Sequence, residues 1–251
     1  MALSWSGKRQ LLYTAVGAVL TLGFLVGLWV AVFSKPSTCF DGTQNAGERG
    51  VDCGGACALI CSADASAPVV LWYRAFEVAP GFYNAVAYIE NKNVGAGARR
   101  VKYSFRLFDE RNILVVERTG STDIPPVSVV PIIESAISVG NRTVASTQFA
   151  FADETITWTK NTRVLPAVYI RQQNLARDGS RLSATLVNDS VEDVRGLTVT
   201  AVLFDASGVA RAASKSTLPL LYRRSSQEVV FTWGSGTPNI VRAEITLLPA
   251  F

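Results

Sequence analysis

Eight side chains gathered between Cys39 and Cys61 have the types and spacing to do chemistry. Cys39, Cys53, Cys57 and Cys61 are all the cysteines of the chain, with thirteen, three and three residues between them. Asp41, Asn45, Glu48 and Asp52 supply oxygen atoms at intervals of four, three and four residues within the same stretch. The sulfur pattern allows three readings. An even number of cysteines in a short, glycine-rich segment fits two disulfides, which hold a stretch too small to have a core of its own. Four cysteines permit three pairings, and spacing does not choose among them. A four-thiolate zinc or iron–sulfur site needs paired knuckles, which Cys39, far from the other three, only partly supplies. A catalytic thiol needs a neighbouring base, and the chain contains no histidine. The oxygen set is adequate for calcium, which takes six to eight oxygens, some of them backbone carbonyls. It does not follow the EF-hand spacing, and Asp, Asn and Gly also build plain solvated turns. We therefore expect disulfides from the four cysteines, calcium as the one candidate ion at Asp41, Asn45, Glu48 and Asp52, and no other cofactor.

The elements that must position this segment begin before it. Residues 11–33 run for 23 residues without a charge; as a helix they extend about 34 Å, enough to cross a hydrocarbon core of about 30 Å. The run is longer than the apolar region of a cleaved signal peptide, and no small-x-small site closes it. It reads as a transmembrane helix in the lipid bilayer. Lys8 and Arg9 precede it and only Lys35 follows closely, so residues 1–10 are expected in the cytoplasm and the C-terminal bulk outside a single-pass cell-membrane span. That side is oxidising, which favours the disulfide reading. Gly23 and Gly27 form a GxxxG pair that suits close approach of a second copy, although glycine is common in such helices. The absence of histidine also excludes Ser-His-Asp and Cys-His catalysis and His-ligated zinc. A balance of 24 basic and 20 acidic residues without a basic cluster argues against nucleic acid as a partner.

Beyond Ser62 the apolar residues alternate. In Val101, Tyr103, Phe105 and Leu107 one face of a strand is apolar, with Lys102, Ser104 and Arg106 on the other. Leu197, Val199, Ala201 and Leu203 repeat the pattern, and both strands end in Leu-Phe-Asp, at Asp109 and Asp205. With Asn91 matched to Asn188 upstream, the chain carries two related units of roughly 100 residues, the size of one sandwich. The expected organisation is mainly β: a stapled stalk over 34–67, then two tandem immunoglobulin-like antiparallel β-sandwiches over 68–162 and 163–251. Asp109 and Asp205 are read as turn formers. Phe149, Phe151, Trp158, Phe231 and Trp233 are read as core, with a carbohydrate-stacking face as the sharper alternative. The proline-interrupted run 124–133 should be an edge or a crossing between sheets. Glu134, isolated in an apolar run, is the one acidic residue whose setting invites a raised pKa, but strand alternation turns it toward solvent.

The residues Leu186, Val187, Asn188, Asp189 and Ser190, followed by Leu203, Phe204, Asp205 and Gly208, resemble FxLYD-like and CARDB-like extracytoplasmic sandwich families of bacteria. The segment from Cys39 through Cys57 resembles a Cys-x-Asp-Gly…Asp-Cys-Gly-Gly-x-Cys motif found beside β-sandwich or adhesive domains of bacterial surface proteins. These resemblances imply a non-enzymatic, membrane-anchored structural or interaction protein with a protein partner at the cell envelope. The alternatives are a calcium-dependent adhesive or envelope-assembly module, and an envelope glycan hydrolase using two carboxylates.

Overall fold

A computed structural model of the chain describes residues 5–33, 38–45, 47–152, 156–161, 167–233, 237 and 239–248. The apolar run forms a single helix, α1 (Trp5–Phe33), which starts ahead of the run and takes in Lys8 and Arg9. The segment expected to precede the span is thus itself partly helical. The Arg9 guanidinium lies 4.1 Å from the Trp5 ring centroid. Trp5–Val30 is long and apolar enough to cross a membrane. The chain divides into two compact units after Cys57.

The second unit, 58–251, is built from antiparallel strands. Its first half contains β1 (Val69–Ala79), β2 (Phe82–Asn91), β3 (Ala96–Phe108), β4 (Leu114–Ile124), β5 (Ser128–Ser138), β6 (Ser146–Phe151) and β7 (Trp158–Lys160). These make a sheet of order β1-β2-β5 and a second of order β4-β3-β6, with β7 pairing the start of β3. The second half has β8 (Val168–Leu175), β9 (Arg181–Asn188), β10 (Val194–Asp205), β11 (Ala210–Leu221), β12 (Ser225–Thr232) and β13 (Ile240–Leu248). Its sheets run β12-β9-β8 and β11-β10-β13, the same connectivity as the first half. The connection from β4 to β5 passes from one sheet to the other through Pro125 and Pro126. Pro131 lies within β5, an edge strand where a missing N–H is tolerated.

Each half closes on its own core. Tyr83, Ala85, Ala87 and Ile89 of β2 face Tyr103, Phe105 and Leu107 of β3, with Phe149 between them. In the second half Leu182 and Leu186 of β9 face Leu197, Val199, Ala201 and Leu203 of β10, with Phe231 and Trp233. The aromatic residues are therefore core, as alternation implied. The expected boundary at 162/163 lies outside the described residues. The stalk expected over 34–67 is shorter in structural terms: Ile60 N–H donates to the Trp158 carbonyl at 2.9 Å and Lys160 N–H to the Ala58 carbonyl at 2.8 Å. Ile60 and Ala65 pack beside Ala98, Ile124 and Trp158. Residues 58–67 thus belong with the first sandwich.

A third core joins the halves. Phe76, Val86, Tyr88 and Ile133 of the first sandwich bury against Val202, Phe204, Ala210 and Ala213 of the second, with Trp72 at the margin. Trp72 stacks on Tyr88 at 4.5 Å, and Phe204 meets both rings edge-on. Polar groups at this junction are paired. Arg74 Nη1 donates to the Ala210 carbonyl at 3.0 Å, buried Asn84 Nδ2 to the Ala213 carbonyl at 2.8 Å, and Lys215 Nζ to the Ile133 carbonyl at 2.7 Å. Arg74, Val86 and Ile133 form one row across the first sheet. Going along β11 from Ala210 to Lys215 therefore crosses β1, β2 and β5 in turn, the orthogonal class of sheet packing.

Removing the ring in Phe204→Ala should cost about 3 kcal/mol while leaving both sandwich cores intact. We expect denaturant unfolding, followed by tryptophan fluorescence and circular dichroism, to change from one transition to two. A single transition of unchanged midpoint would contradict a shared core.

Candidate functional site

The cysteine segment folds around its carboxylates. All four cysteines are disulfide-bonded and none is free. Cys39 pairs with Cys57, Cα atoms 5.6 Å apart, which leaves Cys53 and Cys61 as the other pair. The structure gathers Cys39, Glu48 and Cys57 at metal-ligand distances, but both sulfurs are spent on the bond, and oxidised sulfur is not a thiolate ligand. The four-thiolate and catalytic-thiol readings are corrected on the same ground.

The four oxygen residues do come together, with the oxygens of the carboxylates Asp41 and Asp52 and Glu48 Oε2 turned toward N–H and hydroxyl donors. Asp41 Oδ1 accepts from Thr43 N–H at 3.0 Å and Thr43 Oγ1 at 2.6 Å; Oδ2 accepts from Thr38 N–H at 3.0 Å and Asn45 Nδ2 at 2.9 Å. Asp52 Oδ1 accepts from Asp41 N–H at 2.9 Å, and Gly42 N–H reaches Asp52 Oδ2 at 3.0 Å. Asp52 itself has φ +55. Glu48 is buried, and its Oε2 accepts from Asn45 and Asp52 N–H at 3.3 and 3.2 Å. Its Oε1 rests 3.0 Å from Cys57 Sγ, a contact without a proton because that sulfur is oxidised. Asn45 Oδ1 is buried with no partner among the described residues. Gly55 is required by close approach: at φ +53, a Cβ would lie 2.1 Å from the Gly47 carbonyl oxygen.

A carboxylate filled with donors prefers its charged form. The Thr43 hydroxyl and the Asn45 amide, followed by the Thr38 and Thr43 N–H groups, hold Asp41 well below its ordinary value of 3.8. Asp178 and Asp205 are lowered chiefly by backbone N–H donation, from Ser180 and Val209 respectively.

A second feature lies where the sandwiches meet. A groove of about 270 Å³ is lined by residues that include Tyr103, Ser121, Asp123, Thr198, Lys215 and Thr217. Beside it, Tyr103 donates to Glu134 Oε1 at 2.6 Å, an approach that needs Gly120, whose Cβ would sit 2.5 Å from the phenol oxygen. Burial and then the Glu134 carboxylate push Tyr103 up, so it stays a protonated donor. Glu134 is half-buried, which corrects the expectation that it faces solvent. The polar groups here already hold the fold: Asp123 accepts from Arg100 N–H at 2.8 Å, Thr200 Oγ1 donates to the Thr246 carbonyl at 3.3 Å, and Lys215 is spent on Ile133.

The remaining conspicuous residues are structural. Asp109 Oδ1 accepts from Arg111 and Ile113 N–H, and Asp205 Oδ1 from Ser207 and Val209 N–H, so both close turns as expected. Asn91 and Asn188 do more than end strands. Buried Asn91 Nδ2 donates to the Ala96 and Pro125 carbonyls, and buried Asn188 Nδ2 to those of Glu192, Leu221 and Tyr222. Each asparagine ties two loops together at the same end of its sandwich. Their matched positions were visible in the sequence, whereas their burial was not.

Because Asp41 is depressed, its stabilisation is present above 3.8 and is lost as pH falls toward the folded value. We expect the Asp41 carboxyl carbon, followed by NMR, to titrate well below 3.8, with the same midpoint with and without calcium. Titration at 3.8 would contradict the hydrogen-bonded loop, and a calcium-dependent midpoint would show that its oxygens serve an ion.

No protein family and no curated protein matches this chain. Among solved structures it is similar to a crystal structure of red sea bream transglutaminase, at 8% identity and a TM-score of 0.21, over 72% of this chain and 29% of that one.

Proposed function

We propose that this is a non-enzymatic, single-pass membrane protein that presents two immunoglobulin-like sandwiches, related as an internal repeat, to a protein partner at the extracytoplasmic face of the cell membrane. The observation that carries this reading is the joining of one helix long enough to span a bilayer to a β-rich body in a chain whose cysteines are all oxidised. Oxidised cysteines are the stable form in an extracytoplasmic compartment, which supports a body outside and residues ahead of the span inside. The resemblance of the Cys39–Cys57 segment to motifs of bacterial surface proteins supports the same location. Gly23 and Gly27 have open space above their Cα atoms, which suits a second copy packing helix to helix.

The loop carboxylates support a self-closing collar over a calcium site, because an ion would have to displace N–H donors from Asp41, Glu48 and Asp52. A glycan-hydrolase reading gains nothing from Glu134, whose neighbour is a phenol in place of a second carboxylate.

The test uses the full chain with a C-terminal tag in sealed cells. We expect it to stay in the membrane through an alkaline wash, with residues 1–33 retained, and the tag to be digested by external protease. Alkaline release or removal of residues 1–33 would contradict the anchor. A protected tag would contradict the orientation.

A further inference from the structure

The first sandwich has one end at which the chain arrives from α1, and that end is apolar at its tip. Ala58–Ile60 pair beside β7, and Ser66 N–H donates to Asn93 Oδ1 at 2.8 Å while Asn93 Nδ2 returns a bond to the Ser66 carbonyl at 2.8 Å. The neighbouring Val94 is 88% exposed and Val127 65% exposed. Val127 N–H reaches the Asn93 carbonyl at 3.3 Å, so the two valines share one tip.

Val127 is also strained. A β-branched residue at φ +42 is an outlier that a glycine or asparagine would relieve. The turn does not need valine for its own construction, because the second sandwich builds the same turn without it. Ser128 Oγ donates to the Pro125 carbonyl at 2.7 Å, and Ser225 Oγ does the same to Tyr222. Arg224, at φ +53, stands in the place of Val127, and Arg223 in that of Pro126. Val94 has a counterpart in exposed Val191. At this turn the first sandwich carries Pro126 and Val127 where the second carries Arg223 and Arg224.

Covalent geometry sets an upper limit on the path from the helix to this end. From Phe33 to Ala58 an unbridged chain of twenty-five residues could stretch roughly 85 Å. The Cys39–Cys57 bond, with Cα atoms 5.6 Å apart, shortens the path to about 30 Å. We propose that this end of the first sandwich rests in the phospholipid interface, with Val94 and Val127 inserted at headgroup depth. Lys92, Arg99 and Arg100, exposed at the same end, lie where long cationic side chains meet phosphates. This inference rests on the anchored reading.

The test places an environment-sensitive fluorophore on Val94→Cys in the full chain, reconstituted in phosphatidylcholine vesicles that carry chain-brominated lipid. The comparison site is Glu110→Cys, in the exposed turn at the opposite end of the sandwich. We expect the Val94→Cys label to be quenched several-fold more than the Glu110→Cys label. Adding Val127→Asn should reduce that quenching while leaving the unfolding midpoint unchanged or raised, because the strain is relieved. Equal quenching at both sites in a chain that survives alkaline washing would overturn the lipid contact and leave the anchor standing. Release by alkali would overturn both. Protection of the Val94→Cys label in native membranes but not in protein-free vesicles would assign the tip to a protein partner and overturn the lipid assignment.

Discussion

The packing of Trp72, Tyr88, Val86 and Ile133 against Val202, Phe204 and Ala213 governs the body of this protein. It converts two sandwiches, each with a core of its own, into one body. Two strands bear the consequence. β2 is buried on almost every residue, with Ala85, Ala87 and Ile89 turned into the first core and Val86 and Tyr88 into the shared one. β10 does the same with Val199, Ala201 and Leu203 on one face and Val202 and Phe204 on the other. Interfaces between domains of one chain are commonly small and polar, which leaves relative motion as the default. Here an aromatic triad and the paired Asn84, Arg74 and Lys215 remove that freedom, so the two sandwiches present surfaces in a fixed, crossed relation.

The collar follows a different economy. It has almost no apolar interior, and its order comes from two disulfides and from carboxylates that accept N–H groups the loop would otherwise leave unpaired. Glu48 is the inner member of the set and Asp41 the solvent-facing one. A small loop stabilised this way keeps its shape without a hydrophobic core.

Much of this was legible in the residues. The 23 uncharged residues announced a helix, strict alternation in β3 announced a half-buried strand, and Asp109 and Asp205 announced turns that the structure forms through their own side chains. The cysteine count pointed to disulfides, and the structure chose the pairing that spacing left open. What stayed hidden was tertiary. Val202 and Phe204 lie on the face of β10 opposite Val199, Ala201 and Leu203, and only contact with the other sandwich explains their burial. Asn91 and Asn188 looked like strand ends because loop tying depends on carbonyls from distant turns. Glu134 obeyed a correct rule for an isolated strand and departed from it because Gly120 opens a path to Tyr103.

The central claim is that the two sandwiches form one rigid crossed body. The most direct test is a pulsed electron paramagnetic resonance distance measurement on the full chain, with spin labels at Glu110→Cys in the first sandwich and Gln227→Cys in the second. Because every native cysteine is oxidised, the labels report only the introduced sites. The account predicts a single narrow distance distribution that is unchanged between detergent and vesicles. A broad distribution, or one that shifts between those environments, would contradict it.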